Sequence, residues 1–274
     1  MTKEMVERVE LAPAKLTKTL SILGTRDDGM HLIESEMVTV SLYDEVTLTS
    51  DQGTCHLVDP DGYVTDLESR FGRIPRDRRN IGVRAIEALG GRAGLRVVKR
   101  IPFGAGLGGG SSDAAAVFRL LGKESELALA AQIGSDVPFC VIGGRAKVSG
   151  IGNIVTPLPF LDEEFLLFMS PVLCPTGEVY RRFDEVGSDH SGNDLLRASL
   201  SVSSELQQVF TNLRRFLGVE VKMAGSGSTF FLDQSDRGVF DLACSKLDLQ
   251  EENSGSVNIL GSELVVKRVR SVCL

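Results

Sequence analysis

Five glycines fall within positions 104–110, in the stretch Pro102-Phe103-Gly104-Ala105-Gly106-Leu107-Gly108-Gly109-Gly110-Ser111-Ser112-Asp113. A glycine inside a helix or strand costs about 0.5–1 kcal/mol relative to alanine, so a packed element would not carry so many. The stretch reads as a loop whose backbone turns sharply or lies close to a ligand. Residues 113–121 follow as a strong helix former that stops at Gly122. A glycine loop feeding a helix N-terminus presents free backbone N–H groups and the positive end of the helix dipole. That combination is an anion site, most often for phosphate. Ser111 and Ser112 can cap the helix and offer hydroxyls to a phosphate or, at Ser111, to a metal ion.

Two other glycine signatures compete for this stretch. Gly104-x-Gly106-x-x-Gly109 fits the dinucleotide fingerprint, which closes the first strand of a βαβ unit and has an acid about 20 residues on. Here about a hundred residues precede the stretch, and the nearby acids Glu124 and Glu126 open another helix. No Gly-Lys-Ser or Gly-Lys-Thr follows, which excludes a Walker P-loop. A flexible linker is disfavoured by the adjoining helix and by Leu107.

At 274 residues, with 42% hydrophobic and 24% charged residues, the chain suits one large or two modest domains with an ample core. A net charge of −7 speaks against nucleic acid or a membrane surface as partner. Cysteines 55, 140, 174, 244 and 273 form no C-x-x-C pair, and histidines 31, 56 and 190 are dispersed, so neither a disulfide framework nor a metal cluster is indicated. The N-terminal Met-Thr-Lys-Glu-Met-Val-Glu-Arg is charged and lacks the apolar core of a signal peptide. No stretch approaches 18 apolar residues, so the expected location is the cytoplasm.

The pattern along the chain predicts a strand over 6–12, broken at Ala12-Pro13-Ala14-Lys15, and a second over 16–23. Residues 37–48 read as a hairpin turning at Asp44-Glu45, and 50–78 as loop. Asn80 caps a short helix that ends at Gly90-Gly91, and 95–101 is the strand leading into the glycines. A second helix over 124–133 follows the central one. Residues 139–142 and 145–148 flank Gly143-Gly144 as a hairpin. Pro157 and Pro159 mark a domain boundary, giving domains 1–158 and 159–274. In the second, strands over 165–169, 219–223, 229–232 and 264–272 alternate with helices over 176–184, 203–217 and 236–247. That β-α-β-β-α-β order with one added helix is the ferredoxin-like split βαβ arrangement, and the fold class is α+β.

Three further sites stand out besides the glycine loop: Lys15 after Pro13-Ala14, Asp136 in Gly134-Ser135-Asp136-Val137-Pro138-Phe139, and Gly225-Ser226-Gly227-Ser228-Thr229. Each alone has an ordinary reading: a snorkelling lysine, a carboxylate holding a turn, a long β-turn. The last can also hold a second phosphate or a substrate oxygen on its N–H and hydroxyl groups. Together they match the needs of phosphoryl transfer, which are a triphosphate cradle, a cation against developing charge and a carboxylate to orient or deprotonate the attacking hydroxyl.

These stretches, in this order, resemble the three motifs of the GHMP small-molecule kinases. Asp28-Gly29-Met30-His31-Leu32, the Ser135-Asp136-Val137-Pro138 run, Gly143-Gly144-Arg145-Ala146-Lys147 and Gly192-Asn193-Asp194-Leu195 are most similar to the branch that phosphorylates the 2-hydroxyl of a diphosphocytidyl-linked methylerythritol. The resemblance spans residues 12–232. It implies a ribosomal-S5-like N-terminal domain and a ferredoxin-like C-terminal domain, with ATP and a small alcohol in the cleft between them and Mg²⁺ sharing the phosphate charge. It implies Asp136 as catalytic base with Lys15 as its partner. It implies ATP phosphates on Pro102, Gly104, Gly106, Leu107, Gly108, Gly109, Gly110, Ser111 and Ser112. Substrate would contact Thr17, Met30, His31, Gly225, Ser226, Gly227, Ser228 and Thr229, with His31 beside the cytidine. The chain departs from the branch in having Thr17 for Asn, Met30 for a stacking Tyr, and Asn153 for Glu after Gly150-Ile151-Gly152. Thr17 and Met30 favour, as the alternative, a GHMP kinase of the homoserine or mevalonate type. A non-catalytic nucleotide-binding relative would need neither Lys15 nor Asp136. The expected assembly is a monomer or weak homodimer.

Overall fold

The structure is a computed structural model that describes residues 8–274 apart from 61, 63–64, 66–67, 69–72, 189 and 250–253. The charged segment 1–7, the first two residues of the strand expected at 6–12 and part of the loop expected at 50–78 lie outside the described residues. The chain divides into two compact units. One comprises Ala14 and the described residues before it, Leu42–Pro102 and Gly108–Ile142; the other comprises Lys15–Ser41, Phe103–Leu107 and Gly143–Leu274. Two long strands, β1 (Val9–Thr25) and β2 (His31–Thr49), pair with each other and contribute residues to both units.

In the first unit, β3 (Cys55–Val58) runs parallel to β4 (Gly94–Val98), and β4 is antiparallel to residues 45–49 of β2. Among the described residues, four helices belong with these strands: α1 (Ile81–Ala88), α2 (Gly109–Leu120), α3 (Leu127–Ile133) and α4 (Val137–Ile142). Asn80 caps α1 by accepting from the N–H groups of Gly82 at 2.9 Å and Val83 at 3.4 Å. Val83, Ile86, Leu95, Val97, Val117, Phe118 and Phe139 are fully buried. Each such aliphatic or aromatic side chain contributes about 1.5–3 kcal/mol by leaving water.

In the second unit, β5 (Arg145–Gly150) is antiparallel to residues 33–38 of β2, and β6 (Ile154–Pro157) to β5. A separate antiparallel sheet has the order β10-β11-β7-β9-β8, from β7 (Glu164–Met169), β8 (Lys222–Met223), β9 (Phe230–Asp233), β10 (Ser254–Ile259) and β11 (Ser262–Arg270). The path β11-β7-β9-β8 is the split βαβ sheet, and β10 is an added edge strand. Its helices are α5 (Thr176–Val186), α6 (Leu196–Val202), α7 (Ser204–Leu217) and α8 (Arg237–Lys246). α7 follows its sequence signals closely. Ser203 accepts from the N–H of Leu206, Leu206, Val209, Phe210, Leu213 and Leu217 face the core, and Gly218 ends the helix at φ +77°. These residues pack with Leu166, Phe168, Phe230 and Phe240 in one apolar cluster. Among the described residues no helix is long and apolar enough to cross a membrane.

Five local expectations are corrected. Pro13 does not break the first strand, because β1 continues through it. Asp44-Glu45 is not a turn: β2 runs straight on, since the Asp44 carboxylate has buried partners and needs no solvent. Residues 139–142 form helix α4 rather than half of a hairpin. A four-residue apolar run carries no period, and Pro138 in the first turn favours a helix start. Neither Ser111 nor Ser112 caps α2, which begins earlier, at Gly109, with Gly108 as its N-cap and no side-chain cap. Residues 50–78 include a strand, β3, and the sequence reading also omits β6, α6 and β10.

Candidate active site

The early start of α2 changes what the glycine motif offers. Gly108 adopts φ +66°, a left-handed conformation that glycine alone takes without strain. Gly109, Gly110 and Ser111 then form the first turn, where backbone N–H groups have no partner within the helix. The first turn's closing bond is the N–H of Ser112 to the carbonyl of Gly108 at 2.9 Å. The Ser112 hydroxyl is fully buried and donates to the carbonyl of Pro13 at 2.6 Å, whereas Ser111 is partly exposed. Pro102 is buried and Gly110 exposed.

Beneath this helix start lie three buried charged residues. Lys99, just past β4, donates to Asp44 of β2 and, at 2.9 Å, to Asp113 of α2. The other oxygen of Asp44 accepts the backbone N–H groups of Arg100 at 2.6 Å and Ile101 at 2.9 Å. The second oxygen of Asp113 is buried without a hydrogen-bond partner. Burial, reinforced by Asp44, pushes the Asp113 carboxyl up to about 8 despite the pull of Lys99. The Lys99 ammonium is opposed by burial and held above its ordinary range by Asp113 and Asp44. One carboxylate is enough to balance Lys99, so the second is disfavoured as an anion. The cluster ties both sides of the glycine stretch, since Asp44 holds residues 100 and 101 and Lys99 holds Asp113, just past the first turn of α2.

In the second unit the other half of the motif meets the second glycine loop. A Cβ on Gly106, which sits at φ +78°, would lie 2.3 Å from the carbonyl oxygen of Ala224 and 2.8 Å from that of Gly227. The carbonyl of Leu107 accepts the N–H of Lys15 at 3.0 Å, and that of Ala105 accepts the N–H of Thr229 at 3.1 Å. Gly104 is exposed, beside Leu173. Lys15 and Thr17, two apart on β1, share a face, and the Lys15 ammonium donates to the Thr17 hydroxyl at 3.1 Å. Both are buried. A Cβ on Gly225 would lie 3.5 Å from the ammonium and 3.6 Å from that hydroxyl. The structure thus brings Lys15, Thr17, Gly106, Leu107 and residues 225–229 together. Thr229 places a buried hydroxyl oxygen there without a partner.

His31 opens β2, and Met30 immediately precedes it. Met30 is half exposed. The His31 ring has Tyr180 at 4.9 Å and Phe183 at 6.0 Å between centroids, and its Nε2 lies 2.7 Å from an oxygen of Asp184. These three residues come from α5, for which the sequence predicts only a short helix over 176–184. Tyr180 and Phe183, three apart on α5, also pack against the apolar cluster of this unit. Asp136, partly buried in the first unit, stands immediately before α4, and its carbonyl accepts the N–H of Cys140 at 3.1 Å.

Residues 80–144 match the family described as GHMP kinases N terminal domain. The chain is 34% identical over 259 residues to 4-diphosphocytidyl-2-C-methyl-D-erythritol kinase of Bacillus pumilus, covering 81% of this chain and 86% of that one. A crystal structure of 4-(cytidine 5'-diphospho)-2C-methyl-D-erythritol kinase superposes with a TM-score of 0.67 at 28% identity, covering 97% of this chain and 100% of that one. L. major mevalonate kinase in complex with R-mevalonate shares the fold alone, with a TM-score of 0.62 at 14% identity over 100% of this chain and 99% of that one. The fold is therefore the two-domain GHMP fold that the motifs implied.

Proposed function

Because the chain belongs to the GHMP kinases, and within them to the 4-diphosphocytidyl-2-C-methyl-D-erythritol kinase family, we propose that it transfers the γ-phosphoryl group of ATP to the 2-hydroxyl of 4-diphosphocytidyl-2-C-methyl-D-erythritol. The observation that carries this reading is the buried Lys15 ammonium, set against Thr17 and the Gly225 loop on one strand face. A cation held there can offset charge that develops on an attacking alkoxide. The free N–H groups of Gly109, Gly110 and Ser111 suit the triphosphate, and Gly106 lets the stretch pack against the carbonyls of the second glycine loop. Mg²⁺, bound through the phosphate oxygens with Ser111 as the protein hydroxyl on offer, would neutralise part of their charge. Asp136 is the proposed base.

His31, walled by Tyr180 and Phe183, suits a pyrimidine ring and replaces the aromatic face that Met30 lacks. That supports the cytidyl substrate over a homoserine- or mevalonate-type alcohol, which needs no ring platform. In the same proposal, residues 1–158 serve the nucleotide and 159–274 form the ferredoxin-like part. The protein works in the cytoplasm as a monomer or weak homodimer, without nucleic-acid or membrane partners.

A coupled ADP assay with Mg·ATP and a panel of the cytidyl alcohol, homoserine and mevalonate tests the reading. Turnover is expected with the first alone. Turnover of another alcohol in its place would overturn the substrate assignment. Asp136→Asn is expected to lower kcat by about 10²–10⁴-fold, the usual contribution of general base catalysis. Unchanged kcat would remove Asp136 from that role.

A further inference from the structure

The Gly192-Asn193-Asp194-Leu195 stretch carries none of the chemistry assigned to Asp136, Lys15 or the glycine loops, yet it is fastened to two of their supports. On one side it joins β1. The N–H of Leu20 donates to the carbonyl of Gly192 at 3.1 Å, the N–H of Asp194 to the carbonyl of Leu20 at 2.9 Å, and the N–H of Ile22 to the Asp194 carboxylate at 2.8 Å. On the other side it holds the second glycine loop. The Asn193 carboxamide is buried and donates both its hydrogens, to the carbonyls of Met223 and Gly225, each at 2.8 Å. Its own oxygen accepts the N–H of Leu195 at 3.0 Å. Two carbonyls and one N–H leave the amide a single consistent orientation.

Neighbouring groups complete the same pattern. The Ser199 hydroxyl donates to the carbonyl of Ser226 at 3.0 Å, and the carbonyl of Ala224 accepts the N–H of Gly227 at 3.0 Å. Every carbonyl from 223 to 226 is thereby engaged. Among the described residues, the N–H groups of Gly225, Ser226 and Ser228 donate no hydrogen bond, although all three residues are buried. Buried N–H groups without partners are rare, and a row of them is an anion-binding concavity. The carbonyls are turned to the scaffold and the donors are left for a ligand.

We propose that Asn193 is a positioning residue for phosphoryl transfer. Its carboxamide fixes the carbonyl side of the 223–226 segment and couples that loop to the strand bearing Lys15 and Thr17. The inference rests on the kinase reading of the same site. No other side chain of this length offers two donors and an acceptor in one plane. Serine supplies one donor, and an ionised aspartate supplies none and repels both carbonyls.

Asn193→Ser and Asn193→Asp test it in the coupled assay, with ATP and the cytidyl alcohol varied separately. Asn193→Ser is expected to lower kcat by about 10²-fold, the consequence of a misplacement of about 1 Å in a reacting site. KM for ATP is expected to stay within about threefold, because the loss falls on the alcohol side. Asn193→Asp is expected to recover activity as pH falls from about 8 to about 6, since burial beside carbonyls raises its carboxyl and only the protonated form donates. A wild-type kcat, a uniform loss on both substrates that tracks melting temperature, or an Asn193→Asp profile parallel to wild type would each overturn the role. Should these variants not fold, Ser199→Ala removes a single carbonyl bond. A kcat loss of about 10-fold supports the fixed carbonyl side, and no loss overturns it. Amide hydrogen exchange at Gly225, Ser226 and Ser228 needs no substrate. Faster exchange in Asn193→Ser supports the clamp and unchanged exchange refutes it, whereas a wild type inactive on the cytidyl alcohol counts only against the kinase reading.

Discussion

The glycine stretch at 104–110 and the loop at 224–228 present similar surfaces, small residues with free N–H groups, but what lies behind them differs. Behind the start of α2 sit Lys99, Asp44 and Asp113, all nearly excluded from water. Behind the second loop sit a neutral amide and a hydroxyl, from Asn193 and Ser199. A buried ion cluster is strong when complete and costly when broken, because removing one member strands the others in a low dielectric. A neutral hydrogen bond contributes only about 0.5–1.5 kcal/mol net and fails gracefully. The first loop should therefore respond to mutation through stability, and the second through geometry and rate.

Lys99→Met is the severest way to break that comparison. It leaves Asp44 and Asp113 facing each other without a cation, and the expected destabilisation is about 3–5 kcal/mol, the usual result of removing one partner from a buried pair. Thermal unfolding measures it. A variant with wild-type melting temperature and wild-type KM for ATP would show that the cluster supports neither the fold nor the phosphate loop.

Gly106→Ala probes the place where the two loops touch. The added methyl would sit 2.3 Å from the carbonyl oxygen of Ala224, so one backbone must move. A loss of about 10²-fold in kcat/KM is expected from that displacement. Gly122→Ala is the control. Gly122 is also left-handed, at φ +64°, but opens onto empty space, so it should cost only about 1–2 kcal/mol of strain and no activity. Equal activity losses in the two variants would mean that backbone strain, not the contact with Ala224, explains Gly106.

What the sequence could show follows the same divide. The glycines at 104–110, Lys15 beside a proline, and the capped, amphipathic α7 are local patterns, and each was legible. The supports were not. Asp44 beside Glu45 looks like turn chemistry until Lys99, 55 positions away, is placed next to it. Tyr180 and Phe183 have the spacing of a core face, and only the fold sets them against His31. Asn193 stood in a recognisable motif, but its partners, Met223 and Gly225, are 30 and 32 positions away. Side chains that hold a loop from behind leave no period and no spacing of their own.

The mildest test concerns the charge state of the ion cluster. Asp113 has its folded pKa raised to about 8, against about 3.9 unfolded. Between those values the folded protein binds more protons than the unfolded one, so this group's contribution to stability is complete below about pH 3.9 and is lost as pH rises through about 8. Asp113→Asn keeps the shape of the neutral acid and removes the titration. Its oxygen can still accept from Lys99, and its amide takes the place of the carboxyl oxygen that has no partner. The melting-temperature difference, variant minus wild type, is expected to grow more positive from about pH 4 to about pH 8 and then level off. A difference that stays flat across that range would mean that Asp113 is ionised in the fold, with Lys99 balancing two carboxylates instead of one.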